Sequence, residues 1–325
     1  MKKVAVFKSV YLFVQAVALL FVLPPAHANN NSVKEDSDAI VGRWDMVLSI
    51  SGKVYPSWLE VMRSGSHTLV GRYVGIVGSS RPISKINFSG GKMSFAIPPQ
   101  WEGGNNDAAF EGTMVADSLT GTMVSSDGKN FTWTAHRAPL LERKAAVVWG
   151  EPISLFNGKD MTGWHALGTN QWIVANGILS SPHKGANLVT DNTFTDFKLH
   201  IEFRYPKGSN SGVYLRGRYE VQIEDSDEAE PAANQFGSVY GFLAPSEPLA
   251  RTPDKWQSYD IILTGRMVTI MANGKTIICN QEIPGITGGA INSREEEPGP
   301  LLIQGDHSLI DYRNIVITPA KYIRK

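Results

Sequence analysis

Cysteine is almost missing from this 325-residue chain. The single Cys279 leaves no partner for an internal disulfide and no thiol near the N-terminus for lipid attachment. An excess of charge is missing too: thirty-one Lys and Arg balance thirty-one Asp and Glu. No overall field therefore draws nucleic acid or an anionic membrane surface, and a small or neutral partner is the simpler expectation. No G-x-G-x-x-G follows a strand and opens a helix, so the chain is not itself a dinucleotide-dependent dehydrogenase. Beyond the first 28 residues no apolar run is long enough to cross a bilayer. After residue 151 no stretch carries apolar residues at helical spacing. His165, His183 and His200 lie far apart and lack the close pairing of a compact metal site.

What is present begins with a processing signal. Lys2 and Lys3 precede an apolar run from Val10 to Leu23, and Ala26-His27-Ala28 forms a small-x-small cleavage site. Residues 1–28 are thus expected to be removed, with the mature protein exported to the periplasm or beyond and carrying no membrane span.

At 42% hydrophobic residues the remainder can bury two cores. Trp44, Met46, Leu48 and Ile50 alternate with Arg43, Asp45, Val47 and Ser49, and GKMSFAI and NFTWTAH repeat the pattern. Gly90-Gly91 and Asp127-Gly128 sit where tight hairpins need positive φ. Residues 39–138 therefore predict a small β-barrel or β-sandwich. Residues 139–150 read as a linker with a short helical piece. From 151 to 320 the pattern is again all-β: Leu199, Ile201 and Phe203 oppose His200, Glu202 and Arg204, and Asn176-Gly177 and Asn273-Gly274 mark hairpins. The simplest architecture is a two-sheet jelly roll. Cys279, in TIICN, reads as a small buried apolar residue of a strand. Residues 226–255 and 284–300 are too long for hairpin turns and read as binding loops or lids.

The second unit resembles a known family, the 3-keto-disaccharide hydrolase domain, an exported bacterial domain with a concanavalin-like jelly roll. The landmarks run in order: LFNGKDMTGW, FTDFKLHIEFR, NSGVYLRG, YEVQIED, GSVYGFLAP, WQSYDIILTGRMVTIMANGK, PGPLLIQGDH and YRNIVI. The first unit lies outside this resemblance; its GRW opening and hairpins are only loosely similar to a calycin-type barrel.

The resemblance implies a sugar already oxidised at C3 by a separate sugar 3-dehydrogenase. The ketone acidifies the C2 hydrogen, so a base can remove it and the enolate can expel the C1 group. Glu220, Gln222 and Glu224 share one parity of one strand and would line a groove. Glu220 is the candidate base, with Glu202 second. Arg216 and His307 are candidates to hold the ketone oxygen as it gains charge. Arg216 drops out if a tight turn at Gly217-Arg218 aims it away. Gln222, Asn210 and Asp225 would bind substrate, and Tyr240 would close the pocket. Asp306-His307 has a second reading as a turn cap, and Arg313 and Asn314 read as braces of the last strand. No cofactor is required; a divalent cation on His307 and Glu220 is the alternative way to polarise the ketone.

Trp164, Trp172 and Trp256 could stack on sugar, although Trp164 and Trp256 near strand starts suit core packing. Two other functions remain open. A conventional glycosidase would need paired acids, and Glu220 and Glu224 have Cα atoms about 13 Å apart, against carboxyl separations of roughly 5 to 9.5 Å. A lectin-like module would bind glycans without an acid–base set.

Overall fold

The computed structural model describes residues 38–143, 146–225, 230–249 and 252–321. The 1–28 signal lies outside the described residues.

The first unit is a closed barrel, not a sandwich. Eight antiparallel strands run from Gly42–Ile50 to Asn130–Arg137, each pairing with the next, and the last returns to the first with Trp44 opposite Arg137. Alternation places Trp44, Met46, Leu48, Phe95, Phe110 and Trp133 inside, where the Phe95 and Phe110 rings stack at 4.5 Å. On the second strand, Lys53–Ser64, Leu59 and Val61 point into the barrel, so Trp58 must point out. It is nevertheless fully buried, packed into the core of the second unit with its ring 5.4 Å from Phe242. Glu60, on the same outward face, is buried between Arg43 and Arg72.

The linker holds no helical piece among its described residues. Val148–Trp149 instead pairs with Ala320 and Lys321, and Arg143 reaches Asp196 at 2.6 Å. The second unit is the anticipated jelly roll, a nine-stranded sheet packed on a five-stranded one. Phe197, Leu199, Ile201 and Phe203 fill the space between them together with Tyr219, Val221 and Ile223 of the smaller sheet. Trp164 is a core residue, as its place near a strand start suggested, and Trp172 is one too; Trp256, for which the same packing was expected, lies outside the core, under the guanidinium groups of Arg204 and Arg313. Cys279 is exposed, contrary to the expectation of burial. Its strand, Lys275–Glu282, is an edge strand that loses register between Ile278 and Gln281, and the bulge turns the thiol outward.

The smaller sheet runs Trp164–Ala166, Leu188–Phe194, Gly299–Ile303, Asn210–Leu215 and, at its edge, Tyr219–Glu224. That edge is covered. Tyr240 N–H donates to Glu220 O (3.0 Å), Gln222 N–H to Ser238 O (3.0 Å) and Gly237 N–H to Gln222 O (2.9 Å), so the long connection straps onto the strand. The second long connection also binds the sheet, through Thr287 N–H to Arg218 O at 2.9 Å. It meets the barrel through Gly289 N–H to Ile76 O at 2.8 Å. Neither behaves as a detached lid in its described part.

Candidate active site

A hollow of about 590 Å³ opens over the outer face of the five-stranded sheet. Its floor carries Glu220 and Gln222 of the edge strand and Asn210 and Tyr214 of the neighbouring one; Gln304, Asp306 and His307 stand at one side, and Asn234 and Tyr240 of the strap at another. Five of the eight residues singled out from sequence thus meet in one pocket: Glu220, His307, Gln222, Asn210 and Tyr240. A larger hollow, about 870 Å³, runs along the barrel's outer wall beside Glu111, Thr113, Thr120 and Thr122. Those side chains are exposed, and the buried acid–base groups converge in the smaller one.

Glu220 lies at the floor with 4% of its surface exposed. Burial is the main cause that pushes its carboxyl up to about 8, with Asp306 and Glu224 adding to it and a hydrogen bond from Tyr214 opposing it. The Tyr214 hydroxyl also lies 3.1 Å from Gly288 O. One phenolic proton cannot serve both acceptors: with Glu220 protonated it can go to Gly288, and with Glu220 ionised it is drawn to the carboxylate. Burial, then Glu220, raises the Tyr214 hydroxyl well above its ordinary value, so it stays a donor. Gly212 faces Glu220 from the next strand, and a Cβ there would run into the carboxylate.

At the rim His307 is half exposed, its Nδ1 2.6 Å from Asp306 Oδ1. With Nδ1–H donating to Asp306, Nε2 remains available to a ligand. Asp306 is thus the orienting partner of an imidazole. Gln304 is 6% exposed, and its Oε1 accepts no hydrogen bond from the described residues. A buried acceptor of this kind is costly unless a ligand hydroxyl supplies the donor.

Three candidates fall elsewhere. Arg216 is fully buried in a turn where it and Gly217 both have positive φ (52° and 65°). Its guanidinium points away from the pocket and donates to Glu295 O (3.1 Å), Gly265 O (3.0 Å) and the Tyr219 hydroxyl (2.8 Å). The turn is centred one residue earlier than Gly217-Arg218, with the same consequence for Arg216. Glu202 belongs to the other sheet and faces outward, because Ile201 and Phe203 take the core side of its strand. Partial burial works against its ionisation, but hydrogen bonds from Asn314 (2.7 Å) and Arg313 (2.6 Å) hold it below the usual carboxylate range. Arg313 and Asn314 are braces, as their place on the last strand suggested. Asp225 accepts from Gly208 N–H at 2.8 Å and fastens a turn outside the pocket.

Sequence reasoning passed over Tyr214 and Gln304. Tyr214 has the parity of Asn210 on its strand and was therefore legible as a pocket residue; Gln304 sits inside the PGPLLIQGDH landmark, without a pattern of its own. Val77, Gly78 and Trp101, which form part of the wall beside Gly288 and Gly289, come from the barrel. No local signal could have found them. Among the described residues, no group of three or more His, Cys, Asp or Glu side chains is placed to hold a metal ion, and no helix is long and apolar enough to cross a membrane.

The profile of the 3-keto-alpha-glucoside-1,2-lyase-like domain matches residues 151–318, more than half of the chain. The chain belongs to this family. The domain so defined holds the whole floor of the pocket and none of the barrel wall. A 3-keto-disaccharide hydrolase of Bacteroides thetaiotaomicron is 27% identical over 88 residues, which is 23% of this chain and 30% of that protein. The match therefore spans less than a third of that relative. Among solved structures, a Parabacteroides distasonis protein named as a glycosyl hydrolase is 28% identical, with a TM-score of 0.44, covering 54% of this chain and 92% of its own. The carbohydrate-binding module CBM66 of Bacillus subtilis is 12% identical, with a TM-score of 0.33, covering 47% and 93%.

Proposed function

We propose that the pocket cleaves glycosides whose sugar carries a ketone at C3, with Glu220 removing the C2 proton. The observation that carries this reading is a buried carboxyl with a raised proton affinity at the floor of a sugar-sized hollow. A carbon acid needs a stronger base than an ordinary carboxylate, and burial makes Glu220 one. The C2–H pair moves into the ring to give an enolate whose charge rests on the C3 oxygen. Tyr214, a phenol that keeps its proton, is placed to stabilise that oxygen. The enolate then reforms the ketone and expels the C1 oxygen, leaving a C1–C2 double bond conjugated with the carbonyl. The leaving oxygen takes its proton from His307, whose rim position suits the departing group better than the ketone. Addition of water at C1 and of a proton at C2 turns this elimination into net hydrolysis. Gln304, Gln222 and Asn210 hold the remaining hydroxyls.

The protein acts outside the cytoplasm on glycosides oxidised by a separate sugar 3-dehydrogenase. Export is supported by the order of charged, apolar and small residues in the first 28 positions. The partner follows from the proposed substrate, whose ketone must be made by an oxidation.

The test is turnover of a 3-keto-glucoside by the wild type and by Glu220→Gln, with products followed by NMR for the conjugated enone. We expect loss of roughly 10²–10⁴ in rate for the variant, slower reaction of C2-deuterated substrate, and no cleavage of unoxidised glucosides, whose C2 hydrogen is not acidic. Undiminished turnover by Glu220→Gln would remove Glu220 from the role of base. Cleavage of plain glucosides would favour a conventional glycosidase, and glycan binding without any turnover would favour a lectin.

A further inference from the structure

The barrel offers the pocket an aromatic face on a rigid mount. Trp101 is 70% exposed and Val77 53% exposed, both at the mouth of the hollow that has Glu220 at its floor. An exposed indole is ordinarily carried on a loose loop, but here the loop is clamped. Glu102 accepts from the amides of Gln100 (2.8 Å) and Trp101 (3.2 Å) and pairs with Arg81 at 2.8 Å. Arg81 also donates to Pro98 O at 3.1 Å. Gln100 ties the loop to the neighbouring turn, through Nε2 to Ser79 Oγ (2.7 Å) and Oε1 from Ser79 N–H (3.2 Å). Gly78 lets the indole lie across that turn, since a Cβ there would sit 2.7 Å from Trp101 Cδ1. The turn in turn seats on the jelly roll: Ile76 O accepts from Gly289, and a Cβ on Gly288 would strike the backbone of Gly78.

Resting on the reading above, we infer that Trp101, with Val77, forms the subsite for the group leaving from C1, and that this group carries a ring whose face can stack on the indole. The direction follows from depth. C2 must reach Glu220 at the floor, C1 is bonded to C2, and the substituent on C1 has to depart towards solvent. Only the mouth offers that path, and Trp101 lines it. The indole face attracts either the C–H face of a second pyranose or an aromatic aglycone, and both are stacking partners of the same chemistry. The barrel is thereby a specificity element of an active site whose acid–base groups all lie in the other domain.

The experiment compares kcat/KM for a 3-keto-disaccharide, phenyl 3-keto-glucoside and methyl 3-keto-glucoside in the wild type, Trp101→Ala and Trp101→Phe. The expected result is a drop of about tenfold in the ratio of a ring-bearing substrate to the methyl substrate for Trp101→Ala, restored largely by Trp101→Phe. The disaccharide and phenyl arms show which ring the face prefers. An unchanged ratio for both rings, with folding verified by circular dichroism, overturns the inference. If the wild type turns over none of the three, the proposed reaction fails on its own. Calorimetric affinities for phenyl and methyl glucoside then decide the subsite: a tenfold weakening confined to phenyl in Trp101→Ala supports it, and equal affinities overturn it.

Discussion

The carboxyl of Glu220, proposed above as the base, is buried at a cost in stability. It holds a proton up to about pH 8 when folded, against an ordinary value of 4.5. Between those two pH values the unfolded chain releases a proton that the folded protein keeps. Stability therefore falls as pH rises across this window, by up to roughly 1.4 kcal/mol per pH unit. Replacing Glu220 by Gln removes the dependence. Melting curves should show Glu220→Gln more stable than wild type at pH 8, the gap closing towards pH 4.5, although the variant turns over substrate far more slowly. A gap that does not vary with pH would contradict burial as the origin of the shift. The same ionisation should appear in catalysis: wild-type kcat/KM on a 3-keto-glucoside rises with pH through about 8, as expected of a base that must first lose its proton.

A strand with charged residues on one face becomes a pocket floor only because other segments close over it. The strand Tyr219–Glu224 is an edge, and its unpaired backbone groups are taken up by the strap through Ser238, Tyr240 and Gly237. Gly237 has φ of 79°, and a Cβ there would collide with Ile277 Cδ1. Gly237→Ala should loosen the strap at a cost of about 1–3 kcal/mol. Hydrogen exchange should then quicken at the Gln222 and Tyr240 amides while the barrel strands keep their protection. Equal loss of protection in the barrel would mean that the strap is not an independent element.

The two domains are joined through buried groups of both kinds. Trp58 enters the jelly-roll core beside Phe242. Glu295 of the second long connection is fully buried, 2.6 Å from Arg266 and 2.7 Å from the Tyr219 hydroxyl, with Asp45 of the barrel beside it. Burial opposes ionisation of Glu295, but Arg266 holds its carboxyl below the ordinary range. Asp45 is raised by burial and by the Glu295 charge, so of the two it keeps the proton. Trp58→Ala should cost about 3–5 kcal/mol and split one calorimetric transition into two, because the barrel then loses its main apolar hold on the jelly roll. A single transition at lower temperature would show that the polar groups around Glu295 suffice to keep the domains coupled.

Alternation of apolar and polar residues, together with hairpin signals, was enough to specify two all-β units and the sharing of one face by Glu220, Gln222 and Glu224. The order of landmarks from LFNGKDMTGW to YRNIVI placed the second unit in its family. Both are local properties, set by the period of two along a strand and by turns that need positive φ. Which polar face became the pocket was not local. Glu202 has the same outward parity as Glu220 yet lies on the other sheet, and Arg216 is turned away by the tight turn that it forms with Gly217. Trp101 joins the site from a strand connection more than a hundred residues distant. Those outcomes depend on how two sheets pack and on how a second domain docks, and a one-dimensional pattern carries the period of a strand but not the surface that comes to lie against it.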